Sequence, residues 1–178
     1  MTDDTQGATA ADAAQAAPSL VMVGQYVRDL SFENPNAPGS ILPNPTNPTI
    51  NYSLGVAVRK QNDDVYAVEI TLKAKAQRGD SVVYNCELVY GAIVQVKNIP
   101  ENQLPIYLEI EAAKLIFPFA RQTLATTIMN GGFMPLMLPP VDFVNVYRQK
   151  LAQLAAQQQG TQPAAAPAAN GEEPGKLN

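Results

Sequence analysis

Two stretches that alternate apolar and polar residues, set back to back around a glycine turn, constrain this chain more than any other feature. In Val65 to Ala76 the even positions Tyr66, Val68, Ile70 and Leu72 are apolar, while Glu69, Thr71, Lys73 and Lys75 take the odd ones. Only a pleated strand with one buried face puts every second residue on the same side. In Ser81 to Val94 the same rule groups Val82, Tyr84, Cys86, Leu88 and Tyr90, with Asn85 and Glu87 opposite. Arg78-Gly79-Asp80 between the two runs predicts an antiparallel hairpin. Tyr52 to Arg59 adds Tyr52, Leu54, Val56 and Val58, and the polar turn Gln61-Asn62-Asp63-Asp64 leads back into Val65. In Leu20 to Glu33 the apolar side is assigned Tyr26, Leu30 and Phe32, with Asp29, Ser31 and Glu33 on the other, which makes one end of that face acidic.

The second half changes period. Leu104, Tyr107, Leu108, Leu115 and Phe119 recur at helical spacing. Pro118 would cost a continuous helix ~3 kcal/mol, so a kink or two helices are expected there. Gly131-Gly132 stops this segment, and a last helix starts at Asp142, a good capping acceptor, with Phe143, Tyr147, Leu151 and Leu154 along one stripe. Four strands followed by helices make an α+β fold: a four-stranded antiparallel sheet with C-terminal helices packed on it. The 178 residues, 46% of them hydrophobic, supply one domain. Its expected span is 19–156, between tails at 1–18 and 157–178 whose Ala, Pro and Gln content offers too little apolar surface to offset ordering entropy.

Between the first two strands runs Asn34 to Pro48, whose five prolines forbid helix and interior strand alike. A loop this long inside a compact domain is either a connector or functional, and it carries Ile41 and Leu42. Valines also stand on the nominally outer side of the sheet, at Val21, Val23, Val27, Val83 and Val89. That much apolar surface on a second face points to burial against another subunit.

Composition removes most chemistry. The chain has no histidine, and with it go the commonest general base, the Ser-His and Cys-His pairs, and the usual nitrogen metal ligands. A single cysteine, Cys86, builds neither a disulfide nor a thiolate metal site, and in mid-strand it reads as a small buried hydrophobe of a reducing cytosol. No phosphate-cradling glycine motif is present, so neither nucleotide nor any other cofactor is expected. Asp63-Asp64, the adjacent carboxylate pair in the core, sits where turn solvation accounts for it. With 16 acidic against 12 basic residues the net charge is −4, which argues against nucleic acid. No basic residue precedes Arg28 and the charge-free stretch 123–141 is broken by glycine and proline, so neither an export signal nor a spanning helix is expected.

Several segments, in one order across the core, resemble the SecB family of protein-export chaperones. They are Arg28-Asp29-Leu30-Ser31-Phe32-Glu33-Asn34-Pro35-Asn36-Ala37-Pro38, Asp64-Val65-Tyr66, Cys86-Glu87, Phe117-Pro118-Phe119-Ala120-Arg121, and Gly132-Phe133 leading to Leu136-Met137-Leu138-Pro139-Pro140-Val141-Asp142-Phe143. The resemblance implies a cytoplasmic homotetramer, a dimer of dimers, that binds unfolded precursor polypeptides without catalysis, nucleotide or membrane insertion and passes them to the SecA motor. It implies a SecA-binding set of Asp29, Glu33 and Glu87, with Asn85 where some relatives carry an apolar residue. It also implies assembly residues Cys86, Leu88 and Tyr90, and a client groove containing Phe32, Ile41, Leu42, Tyr66 and Tyr84. The rival readings from composition are a small oligomeric α+β enzyme or ligand-binding protein with an interface pocket, using a carboxylate such as Glu109 or Glu111, and a purely structural assembly protein.

Overall fold

A computed structural model describes residues 17–159. Four strands form one antiparallel sheet in the order β1-β4-β3-β2, with β1 at Ser19–Glu33, β2 at Thr49–Asn62, β3 at Val65–Arg78 and β4 at Ser81–Lys97. Each lies within a few residues of the alternating run that predicts it. The two hairpins place β3 and β4 at the centre, and their even positions carry most of the core: Val68, Ile70, Leu72, Tyr84, Cys86, Leu88, Ala92 and Val94 are buried. This inner face is covered by a helical layer made of α1 (Leu104–Ile106), a wider π-helical turn (Tyr107–Ala112) and α2 (Ala113–Asn130). Helix α3 (Phe143–Gln159) completes it beside β2.

Of the two outcomes expected at Pro118, a division into two helices does not occur; α2 continues through it to Asn130. Ile116, Phe117, Ala120, Leu124 and Ile128 are all buried against the sheet from this one segment, and at about 1.5–3 kcal/mol for each large apolar side chain their burial outweighs the ~3 kcal/mol proline cost. Gly132 ends it with a left-handed φ of 89°, and the Phe133 N–H returns to the Ile128 carbonyl at 3.3 Å. Asp142 caps α3 as expected, its Oδ1 accepting the Asn145 N–H at 3.1 Å.

Four residues lie on other faces than strict alternation predicts. The β1–β4 register slips between Met22 and Gly24 and again between Val27 and Asp29. Each slip is a bulge that reverses the parity of the strand residues beyond it. Tyr26, expected on the apolar side, therefore stands opposite Gly91 on the outer face, and Val27, expected outside, stands opposite Tyr90 on the inner one. A third slip between Ala76 and Gln77 leaves Val83 without a partner and turns it into the chain's own core, and sets Val82, expected on the apolar side, opposite Gln77 on the outer one. Of the outer valines, Val89 is also covered within the chain, whereas Val21 and Val23 remain exposed. The tails expected at 1–18 and 157–178 fall for the most part outside the described residues; α3 itself runs on to Gln159.

Candidate functional site

The crossover loop between β1 and β2 is pinned rather than loose. Asn36 donates to the Val82 carbonyl at 2.8 Å, Ser40 to Asn34 Oδ1 at 2.6 Å, and Arg78 Nε to the Thr46 carbonyl at 3.0 Å. The loop thus stands as one wall against the end of the sheet, and the glycine stop after α2 forms the other. Between them lies a groove of about 380 Å³, lined by Ile41, Pro48, Ile50, Tyr84, Phe133 and Met134 among others. Its floor is aromatic: Tyr84 and Phe133 approach to 5.0 Å between ring centroids, and Phe32 stacks beneath on Tyr84 at 5.9 Å. Gly131 is required for that arrangement, since a Cβ there would come within 2.2 Å of the Phe32 ring.

Of the residues assigned to a client groove, the structure brings together Phe32, Ile41 and Tyr84. Leu42 is 64% exposed beside them but outside the lining. Tyr66 lies elsewhere: it is ten positions along β3 from Ala76, the partner of Tyr84, or about 33 Å at ~3.3 Å per residue. Strand alternation gives both tyrosines the same face and says nothing of which end a groove occupies. Phe133, Met134, Pro48 and Ile50 also line the groove, although none of them is among the residues the sequence assigns to it; the signal for Phe133 is its place just after the glycine pair, in a segment that carries the family resemblance. Such a groove accepts apolar side chains without directional demands, each Leu- or Phe-sized one contributing about 1.5–3 kcal/mol on burial. The Tyr84 hydroxyl is buried without a hydrogen-bond partner among the described residues. Burial, and secondarily Cys86, raises its pKa.

The opposite face of the sheet is charged. Asp29 pairs across to Val89, Ser31 to Glu87 and Glu33 to Asn85, so Asp29, Glu33, Asn85 and Glu87 share this outer face. Glu87 is joined to Lys73 at 2.7 Å, whereas Asp29 and Glu33 have no ion pair among the described residues. One carboxylate of this face is buried. Glu69, only 3% exposed, receives Arg28 at 2.6 Å, Arg59 and the Tyr26 hydroxyl at 3.0 Å.

Cys86 and Leu88 are wholly buried in the core that α2 closes, and Tyr90 is half-buried with its hydroxyl on Gln25 Oε1 at 3.1 Å. The first two therefore present no surface of their own. The outer side of α2, by contrast, exposes Leu115, Phe119 and Met129. Burial pushes the Cys86 thiol up to about 11, with Glu87 adding to it, which removes the thiolate a nucleophile would need at neutral pH. Glu109 is held by Lys150 at 2.6 Å and Glu111 by Lys114 at 2.8 Å. Among the described residues no three His, Cys, Asp or Glu are grouped to hold a metal ion, and no helix is long and apolar enough to cross a membrane.

Comparison with known proteins converges on one family. The profile of the family described as Preprotein translocase subunit SecB matches residues 13–154. A protein of Rhodopseudomonas palustris (strain TIE-1), named Protein-export protein SecB, is 44% identical over 145 residues, covering 82% of this chain and 91% of that one. Proteins of the same name from a Bradyrhizobium strain and from Afipia carboxidovorans are 44% and 42% identical over 86% and 92% of this chain, spanning 95% and 99% of their own. Among solved structures, a Mycobacterium tuberculosis SecB-like chaperone, in complex with a ChAD peptide from an antitoxin, shares the fold with a TM-score of 0.57 at 15% identity. The match covers 68% of this chain and 90% of that one.

Proposed function

The chain belongs to the SecB family, and from that premise we propose that it is a protein-export holding chaperone. It binds unfolded precursor polypeptides in the cytoplasm and keeps them competent for translocation. It then delivers them to the SecA motor, with neither catalysis nor nucleotide. The single observation that carries the reading is the groove between crossover loop and helix stop, floored by Phe32, Tyr84 and Phe133. Its mainly apolar, loop-bordered shape, with Ser40, Asn47 and Arg78 at its polar side, suits the apolar side chains of an extended chain. A folded client hides its apolar side chains and so has nothing to insert.

Ile41, Leu42, Phe32 and Tyr84 are the proposed client contacts. Tyr66 is proposed only as support, since it is buried at the far end of the sheet. Asp29, Glu33 and Glu87, with Asn85 beside them, form the proposed docking row for the motor. The working unit is a homotetramer, a dimer of dimers, in which repeated grooves on one long client raise the effective concentration of each further contact. Cys86 and Leu88 act on that assembly through α2, which rests on them, and Tyr90 through the rim of the same face.

The test is dilution of a chemically unfolded precursor into increasing amounts of the protein without nucleotide, monitored by light scattering beside the mass of the complex. Suppression of aggregation that saturates near one client per tetramer is the expected result. An intact tetramer that leaves scattering unchanged would refute the holding function, and saturable binding of a compact small molecule in its place would favour a ligand pocket.

A further inference from the structure

The outer face carries a device that the holding function does not use. At the second bulge of β1 the chain leaves Arg28 unpaired between Val27 and Asp29. Regular alternation would turn Arg28 toward the helices; the bulge re-aims it so that consecutive Arg28 and Asp29 both serve the outer face. An arginine is thereby set beside an exposed carboxylate, the arrangement most apt to neutralise it.

Arg28 nevertheless reaches away from its neighbour. Its Nη1 lies 2.6 Å from Glu69 Oε2, on β3, with all of β4 between. The passage is open because the β4 residue facing both Tyr26 and Glu69 is Gly91. A Cβ at Gly91 would sit 2.6 Å from the Tyr26 ring, which lies across the gap and donates its hydroxyl to Glu69 Oε1 at 3.0 Å. Arg59 of β2 meets Oε1 as well. At 3% exposure Glu69 has little water to replace these donors, so its charge-assisted hold on Arg28 is stronger than that of a solvated carboxylate such as Asp29. Asp29 keeps no internal cation among the described residues, in contrast to Glu87 on Lys73.

We propose that Glu69 is a positioning residue of the docking face: by engaging Arg28 it keeps Asp29 open to a basic group of the docking protein. The inference rests on the reading that the acidic row receives the motor. Its consequence is that Arg28 becomes a competitor for Asp29 only when Glu69 is lost. The opposite role, Arg28 and Arg59 as a cationic fork for a carboxylate of the partner, would reverse the sign of an Arg28 substitution.

The experiment measures the affinity of the full tetramer for purified SecA by titration calorimetry, using Asp29→Asn, Glu69→Gln, Arg28→Gln and the double variant Glu69→Gln with Arg28→Gln. Asp29→Asn weakens binding. Glu69→Gln weakens it roughly threefold, the scale of one exposed ion pair. Arg28→Gln leaves it unchanged or up to about twofold tighter, and the double variant returns to within about twofold of the parent. Rescue is the decisive readout, because removing a second member of a merely structural network would loosen the sheet further. A double variant as weak as Glu69→Gln, or an Arg28→Gln that weakens binding, overturns the positioning role while a weakened Asp29→Asn keeps the docking row. Full affinity in Asp29→Asn removes the docking row and this inference with it. Tetramer mass and client holding are checked for each variant, and if Glu69→Gln does not fold, Glu69→Asp, whose shorter side chain falls back from Arg28, takes its place alone and with Arg28→Gln, with the same loss and rescue expected.

Discussion

Gly131→Ala tests the aromatic floor of the groove with a single methyl group. The new Cβ would fall 2.2 and 2.4 Å from two carbons of the Phe32 ring, and 3.0 Å from a third, well inside the ~3.5–4.0 Å of an ordinary carbon contact. The ring has little room to retreat, being stacked on Tyr84 at 5.9 Å and set against Phe133 at 6.3 Å. Overpacking of this kind costs about 1–3 kcal/mol. Gly131 itself has helical φ and ψ of −73° and 0°, where alanine restricts the unfolded chain and returns about 0.4–1 kcal/mol. The net expectation is a loss of roughly 1–2 kcal/mol, read as a lowered urea midpoint at unchanged slope. Client holding should fall with it, because displaced Phe32 no longer supports Tyr84. Placing Gly131→Ala on a Phe32→Leu background should make the methyl neutral or stabilising, a coupling of about 1 kcal/mol or more between two touching residues. Additive effects of the two substitutions, or a Gly131→Ala protein as stable as the parent, would refute the reasoning.

Charge reversal at Asp29, Glu33 and Glu87 together should weaken SecA binding at least tenfold while sparing client holding, since the row and the groove lie on opposite faces; equal loss of both activities in a folded protein would contradict the assignment. Cys86→Tyr forces a large side chain under α2 at a site with no exposed surface, and sedimentation should show the proposed tetramer shifting toward dimer, which an unchanged mass would refute. The Cys86 thiol, raised by burial from 9.0 to about 11, should react with a thiol reagent at pH 8 only on unfolding. Because its folded pKa is the higher one, its contribution to stability is full below pH 9 and is lost as pH climbs toward 11. Asp142→Ala removes the cap of α3 and should cost about 1 kcal/mol, with faster amide exchange confined to the first turn of that helix.

Alternation alone made the sheet legible because burial on one side imposes a period of two wherever a strand is half-covered. Leu54, Val56, Val68, Ile70, Leu72 and Leu88 all stand on the face expected of them. Asp29, Glu33, Asn85 and Glu87 likewise stand on the outer face by register. The rule failed where one strand carries an extra residue: Tyr26, Val27, Val82 and Val83 changed sides at bulges that leave no mark in composition. Nor did Pro118 by itself decide between one helix and two, since the compensation comes from sheet residues far away in sequence.

By itself the sequence determined that this chain is an α+β domain with a one-sided core, that it lacks histidine chemistry, and that its order of motifs is that of SecB. Those properties depend on residue type and short spacing, which neighbours along the chain set. Only the tertiary structure decided that the groove lies at the loop end of the sheet, with Phe133 in it and Tyr66 far from it. It likewise decided that Cys86 and Leu88 lie beneath a helix rather than at a surface. The turning of Arg28 from Asp29 to Glu69 belongs there too, because it depends on a bulge in β1, a missing side chain in β4 and a carboxylate in β3 meeting at one point.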